Sequence, residues 1–383
     1  MTATEIAASV AVPVPPEAFH PGEQALQARV GVRERMAAVG AMVLRDHMPD
    51  QHRELFEKLP TLLLGALDDQ GQPWATMLAG PLGFVHTPDA QRMQIATAPD
   101  SKDPVLAHLA PGAAVGVLGL EPHTRRRNRM NGRVTALGDT GLGVQVVQSF
   151  GNCPKYIQAR EPGLRAALVA PGPVQWLGPE LDDAAIARVQ RADTLFIASA
   201  SAPRPGAGHS EGVDVSHRGG EPGFVQVART EAGVVLSLPD YPGNQFFNTL
   251  GNLALHPLAG LLVVDYEEGG LLHIAAQAEV LWDRAARAAW PGAQRALRLT
   301  VLRALWRPQV LPWRWTPPVL WRSASGFRRS SPFRARLIRF CCALAARRWI
   351  VVSISSWRPG ATGRGSSTWA TASCPTCRSP MSN

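Results

Sequence analysis

Apolar positions recur along this chain in two rhythms. Between Glu23 and Met48 they fall at Leu26, Val30, Met36, Val39 and Val43 with arginines between them, the spacing of one amphipathic helix packed on a larger body. Elsewhere the period is two. Val213 and Val215 alternate with Asp214, Ser216 and Arg218, which predicts a half-buried strand. Gly219-Gly220 and Pro222-Gly223 then turn the chain into a returning strand at Phe224–Val227. Val234–Leu238 predicts a third strand, running into Pro239-Asp240-Tyr241-Pro242-Gly243-Asn244, a loop rich in turn residues. Asn248–Leu255 reads as a short helix, and Gly260–Tyr266 with Leu271–Val280 as a last hairpin. Asp182–Ala192 reads as a helix leading into a first strand at Leu195–Ala198. These elements predict a small β-barrel carrying one helix.

The segment Leu59–Val134 repeats that module. Gly83-Phe84-Val85 matches Gly223-Phe224-Val225, and Pro99-Asp100 matches Pro239-Asp240, both at an offset of 140. Pro111, Val117 and Val134 match Pro257, Val263 and Val280 at an offset of 146. The step between offsets predicts a six-residue insertion between Asp240 and His256, so that only the second module has the full loop. Internal repetition of this kind implies tandem units. The expected fold class is mainly β with flanking helices (β-barrel, α+β): an N-terminal extension and helix over 1–48, a first barrel over 49–158, a linker over 159–181, a second barrel with its terminal segment over 182–318, and a tail over 319–383.

Charge changes the picture of the tail. The formal charge of +9 suggests an anionic partner, but residues 284–383 hold 18 Arg and no Lys, Asp or Glu, so residues 1–283 carry 9 − 18 = −9. Beyond Pro318 periodicity disappears and Arg, Ser, Trp, Cys and Pro dominate, which reads as a disordered extension or an out-of-frame translation. Cys374 and Cys377 have the spacing of half a zinc site, but no His follows His273 to complete one, and no metal is expected. Residues 1–18 also read as disordered, without the basic and apolar regions of a secretory signal, and no stretch of about 20 apolar residues suggests a membrane span. A cytoplasmic protein is the expectation, with a lone Cys153 before the tail.

Several polar residues are candidates for chemistry. Glu121–Val134 holds four arginines in its Arg-rich run, and strand alternation would set Arg125, Arg127 and Arg129 on one face. Three guanidiniums in a row repel one another unless an anion or carboxylates face them, so a bound phosphate is favoured over a solvated face or a nucleic-acid patch. Ser216 and Arg218 share the opposite strand's face, His217 is ambiguous, and Asn244, Gln245 and Asn248 lie at the loop and helix start. A Gly-rich turn beside Arg and Asn suits a phosphate, because backbone N–H groups converge and Arg offers a planar fork. Asn152 and Pro154 suggest a capped helix start, and Cys153 reads as a buried structural thiol. His47 and His52 read as surface residues. No paired carboxylates or Ser-His-Asp order points to hydrolysis.

The pieces V-D-V-S-H-R-G-G-x-P-G-F, P-D-x-x-G-N, N-T-L-x-N-L-x-x-H-P-x-A-G-L-L and A-E-V, within Ala192–Asp283, resemble the FMN-binding split barrels related to pyridoxamine 5′-phosphate oxidase, in particular the predicted flavin-nucleotide-binding subgroup. His20–Glu23 and the F-x-x-C-P-K segment at Phe150–Lys155 resemble it too. The resemblance implies two tandem split barrels and an FMN whose phosphate and ribityl chain meet Ser216, Arg218, Asn244, Gln245 and Asn248, with Arg125, Arg127 and Arg129 as the second wall. The chain departs from the family at Gln245, where relatives often carry Arg, and at His217, where they often carry Pro. The implied function is a flavin-dependent oxidoreductase working on an unread small molecule or redox partner, with a homodimer left open. The alternative is a non-catalytic flavin or haem carrier or sensor on the same fold.

Overall fold

The computed structural model describes residues 17–321 except 140, 166–169, 207 and 232. Of the tail only residues 319–321 are described, with Val319 bridged to Ala159, and residues 322–383, with the cysteines, lie outside the described residues. Seven strands form the first sheet: β1 (Thr61–Leu67), β2 (Pro73–Ala79), β3 (Val85–Asp89), β4 (Arg92–Ile95), β5 (Ala114–Glu121), β6 (Arg126–Gly138) and β7 (Gly141–Gly151), in the order β2-β1-β5-β6-β7-β4-β3. After two short strands, β8 (Pro162–Leu164) and β9 (Gln175–Leu177), the second sheet follows. It comprises β10 (Thr194–Ala200), β11 (Val213–Gly219), β12 (Gln226–Thr230), β13 (Gly233–Asp240), β14 (Leu258–Val264), β15 (Leu271–Leu281) and β16 (Arg295–Arg307), and β17 (Trp313–Trp315) pairs with β8. Its order, β11-β10-β14-β15-β16-β13-β12, repeats the first strand for strand, with β9 added on β16. Among the described residues the end strands of neither sheet pair with each other, so the expected barrels are open sheets.

The burial pattern explains the sequence of the central strands. Leu62 and Leu64 of β1 face the first sheet's own core, whereas Leu63 faces a third core between the sheets. In the second sheet Leu195 and Ile197 point to its core and Phe196 and Ala198 to the shared one. Strands covered on both faces lose the apolar–polar alternation and become continuous apolar runs. The contacts across the shared core are reciprocal: β2 packs on β10 and β14, and β11 packs on β1 and β5. Two glycines permit this approach, since a Cβ at Gly116 would lie 2.6 Å from the Val213 carbonyl oxygen and one at Gly260 would lie 2.2 Å from that of Pro73.

Several expectations require correction. The predicted single helix over 23–48 is two, α1 (Pro21–Arg29) and α2 (Arg33–Val43), broken at Gly31 with φ of +72°, and α3 (Asp50–Glu57) follows. The terminal segment expected in the second barrel is a strand of its sheet: β16 lies between β15 and β13, and its Arg295, Arg303 and Arg307 pair with Asp240, Asp68 and the Asp100–Asp103 pair. Residues 159–181 are more than a linker, because β8 and β9 stitch them to β17 and β16. No helix forms after Asn152, where the chain runs through turns. His52 is half-buried, its Nδ1 2.9 Å from the Ser149 hydroxyl.

The expected six-residue insertion is also absent from its predicted place. His86 pairs with Gln94 in the first sheet and Gln226 with Ser237 in the second, so the strand-to-strand hairpin grows from 8 to 11 residues. From Gln94 to Gly116 is 22 residues and from Ser237 to Gly260 is 23, where Gly116 and Gly260 occupy the same ladder position beside β1 and β10. The loop holding Gly243-Asn244 is therefore matched in length by its counterpart. The similarity of Pro99-Asp100 to Pro239-Asp240 concealed where the extra residues lie. The two remaining helices, α4 (Asp183–Arg191) and α5 (Asn248–Leu255), belong to the second half.

Candidate functional site

Where β11 crosses the end of β5 and β6, a pocket of about 140 Å³ opens between the two sheets. Its walls come from β6 (Arg127, Arg129), β11 (Ser216, His217, Arg218), the 152–156 turn, the 239–248 loop and the start of β16 (Arg295). Strand alternation aims Arg127 and Arg129 the same way, and likewise Ser216 and Arg218, as their sequence spacing predicts.

Arg129 is deeply buried. It donates to Asp214 at 2.8 Å and to the Ser216 hydroxyl, while Asn131 and Asn252 complete the Asp214 carboxylate at 2.8 and 2.9 Å. Thr249 also donates to Ser216 at 3.0 Å, which leaves the serine's own O–H to donate elsewhere. Asp240 is shared: it accepts from Arg218 at 2.9 Å and from Arg295 at 2.8 Å. The Arg218 Nε is buried with no partner.

Arg127 differs from its neighbours. Its Nε donates to the Cys153 carbonyl at 2.8 Å, yet no carboxylate among the described residues lies within 4.0 Å of its guanidinium. Burial, then the Arg129 and Arg218 charges, bring its pKa down to about 10 against the opposing influence of Cys153. It stays charged at neutral pH and unneutralised, the electrostatic condition for holding an anion. His217 turns to the other face of β11, edge-on to Phe196 at 5.8 Å, with both ring nitrogens buried and unpartnered. Burial, then Arg127 and Arg218, hold its pKa well below the usual range.

The remaining predicted residues divide. Asn244 lines the pocket and accepts from the Phe246 N–H at 3.2 Å; Gln245 lines it in a left-handed backbone conformation, φ +66°. Asn248 also lines it and donates to Glu23 of α1 at 2.5 Å. Burial, then the Asp214 charge, keep that Glu23 carboxyl well above the usual range. Arg125 does not join the others. It sits in the turn before β6 with φ of +56°, so alternation does not reach it, and it donates to the Ile157 and Val319 carbonyls instead. Cys153 is half-exposed on the pocket wall, not buried. Sequence reasoning missed Asp214, Asp240 and Arg295. For the two aspartates the signal was their place next to Ser216 and in the Pro-Asp turn; for Arg295, 55 residues from its partner, there was none.

Residues 48–171 match the pyridoxamine 5′-phosphate oxidase family, a span that covers the first sheet rather than the 192–283 stretch where the motifs cluster. No curated protein matches the sequence. Among solved structures, a HupZ variant from Group A Streptococcus is 9% identical with a TM-score of 0.23, covering 31% of this chain and 93% of its own. HutZ, the heme storage protein from Vibrio cholerae, is 14% identical with a TM-score of 0.22, covering 32% and 90%. The K. pneumonia MrkH–c-di-GMP complex is 11% identical with a TM-score of 0.21, covering 66% and 83%. Scores this low carry no argument about ligands. Among the described residues no helix is long and apolar enough to cross a membrane. The match over residues 48–171 makes the first sheet similar to the pyridoxamine 5′-phosphate oxidase family.

Proposed function

We propose that the two sheets are tandem copies of one split barrel and that the pocket between them binds FMN by its phosphate, one per chain. The duplication is supported by the common strand order and the reciprocal packing of β2 and β11. The observation that carries the ligand reading is the Arg127 guanidinium, charged and without a carboxylate at the base of the pocket. The donor set suits a phosphate monoester: Arg127, the free Nε of Arg218, the Ser216 hydroxyl and Lys155 at the rim. The 140 Å³ of the pocket is small beside the roughly 300–1,000 Å³ of pockets that swallow a whole drug-sized ligand, so the fit is to the phosphate end, with the isoalloxazine outside it.

Bound there, FMN would supply hydride or electron transfer, the chemistry of the cofactor itself. The protein's own residues bind and orient: Asp240 fixes Arg218 and Arg295, and Asp214 fixes Arg129. His217 is kept neutral by burial beside Arg127 and Arg218. A site whose residues hold and orient the cofactor suits a flavin-dependent oxidoreductase in which the flavin carries the chemistry. The same feature suits a non-catalytic flavin or haem carrier, and NAD(P)H-dependent reduction of the bound flavin separates the two.

Fluorescence titration with FMN and with riboflavin, which lacks the phosphate, tests the site. Arg127→Ala should weaken FMN by about 1.5–3 kcal/mol, roughly tenfold to a hundredfold, and leave riboflavin unchanged. Equal FMN affinity in wild type and variant would end the phosphate assignment.

A further inference from the structure

We propose that the N-terminal arm is part of this binding site, and that Arg35 of α2 is a positioning residue that orients the Gln245 amide so its N–H groups face the ligand. This inference rests on the pocket being an anion site. The 239–248 loop forms one rim, and two of its residues, Gln245 at φ +66° and Phe247 at φ +67°, hold left-handed backbone conformations. Non-glycine residues in that region persist only where their surroundings fix them.

The arm provides that fixation. Gln27 of α1 donates to the Phe246 carbonyl at 3.2 Å, Glu23 accepts from Asn248 at 2.5 Å, and Phe19 packs on the Phe246 ring at 5.2 Å. The helices α1 and α5 touch backbone to backbone, for a Cβ on Gly22 would lie 2.2 Å from the Gly251 carbonyl oxygen. His20 caps α1 while Glu23 accepts its N–H in return at 2.9 Å, so the His-Pro-Gly-Glu segment sets the helix against the loop.

Arg35 extends this contact to the pocket's lining. Its Nη2 donates to the Gln245 Oε1, and no carboxylate among the described residues lies within 4.0 Å of it. A primary amide has one accepting oxygen and two N–H donors. With the oxygen engaged by a guanidinium, the end left for the pocket is the donating one. An amide turned the other way would present its oxygen to the anion and repel it. Gln245 reads as a weak substitute for a cation until its orientation is fixed from α2.

The test uses the full chain with FMN and riboflavin. Arg35 is exposed, so its replacement leaves the core intact. Arg35→Ala should weaken FMN about three- to tenfold and leave riboflavin unchanged, and Arg35→Lys, which still donates to Oε1, should recover most of the loss. Gln245→Ala should cause a similar loss, and the double variant no more than either alone, because the two act as one unit. Additive losses, or an Arg35→Ala variant equal to wild type, would overturn the proposal. If Arg127→Ala weakens FMN while Arg35→Ala does not, only the arm's role falls; if wild type binds no FMN, both readings fall together.

Discussion

On β11 the pocket is open and cationic; at the counterpart position on β2 the same backbone frame is occupied by the chain's own ion pairs. The ladders put Thr76 and Leu78 where β11 has Ser216 and Arg218, since Thr61 faces Ala79 as Thr194 faces Gly219. They put Leu271 and His273 where β6 has Arg127 and Arg129. In the first half Thr76 donates to Asp103 at 2.5 Å, Asp103 also accepts from the Val105 and Leu106 N–H groups at 2.9 and 3.1 Å, and Arg307 binds both Asp100 and Asp103. The protein supplies its own anion there. Loop length does not separate the two places, because the connecting segments differ by a single residue. Side-chain identity on a shared frame decides which half has a site.

The largest effect should come from breaking the buried pair that defines the open half. Arg129→Ala leaves the Asp214 carboxylate in the interior with only amide partners, and the loss of one partner of a buried ion pair costs about 3–5 kcal/mol. Its counterpart His273 has one hydrogen-bond partner, the Ala75 carbonyl at 2.8 Å, and its Nε2 is unpartnered. His273→Leu should therefore cost only about 1 kcal/mol. Urea denaturation of both variants measures the contrast. Similar losses would mean the two positions are not distinguished by charge in the way argued.

A pH series sharpens the same comparison. Burial lowers the His273 pKa from 6.5 to about 4, with Arg307 adding to the shift and Asp103 opposing it. His217 is lowered too, by burial and then by Arg127 and Arg218, and His52 to about 4 by burial, then Arg45 and Arg126. A depressed pKa means the unfolded chain binds the proton more tightly, so this stability is present above pH 6.5 and lost as pH falls toward 4. Thermal midpoints recorded from about pH 7.5 to about 4.5, a range that spans this window, should fall, and His273→Leu should flatten part of the decline. A decline just as steep in the variant would remove His273 from the account.

Much of the fold was legible because burial leaves a mark on residue type. The apolar runs at Leu62–Leu64 and Leu195–Ala198 mark strands covered on both faces, and the alternation at Val213–Arg218 sets the Ser216 and Arg218 side chains on one face of β11 and the His217 ring, beside Phe196, on the other. Arg127 and Arg129 were legible for the same reason. Arg125 was not, because nothing in an Arg-Arg-Arg run tells where a turn with positive φ hands over to the strand. The acids that neutralise Arg129 and Arg218, and the arm that grips the 239–248 loop, depend on contacts between distant elements. Residue spacing carries no record of those. The misplaced insertion has a simple cause: a two-residue identity at Pro239-Asp240 outweighed the ladder register, which only pairing reveals.

The last prediction, of no difference between two variants, bears on the frame itself. Gly83 and Gly223 precede β3 and β12 at φ of +84° and +87°, and a Cβ at either would meet nothing within 4 Å. Replacement by Ala therefore removes no packing and adds no clash; its cost is the left-handed backbone alone, about 1–2 kcal/mol. Because the cores around these turns are built from different side chains, an effect transmitted through packing would differ between the halves. A purely conformational cost would be equal. Denaturation midpoints of Gly83→Ala and Gly223→Ala should shift by the same amount, and unequal shifts would show that the two turns are not the same piece of structure, which would weaken the case for one barrel used twice.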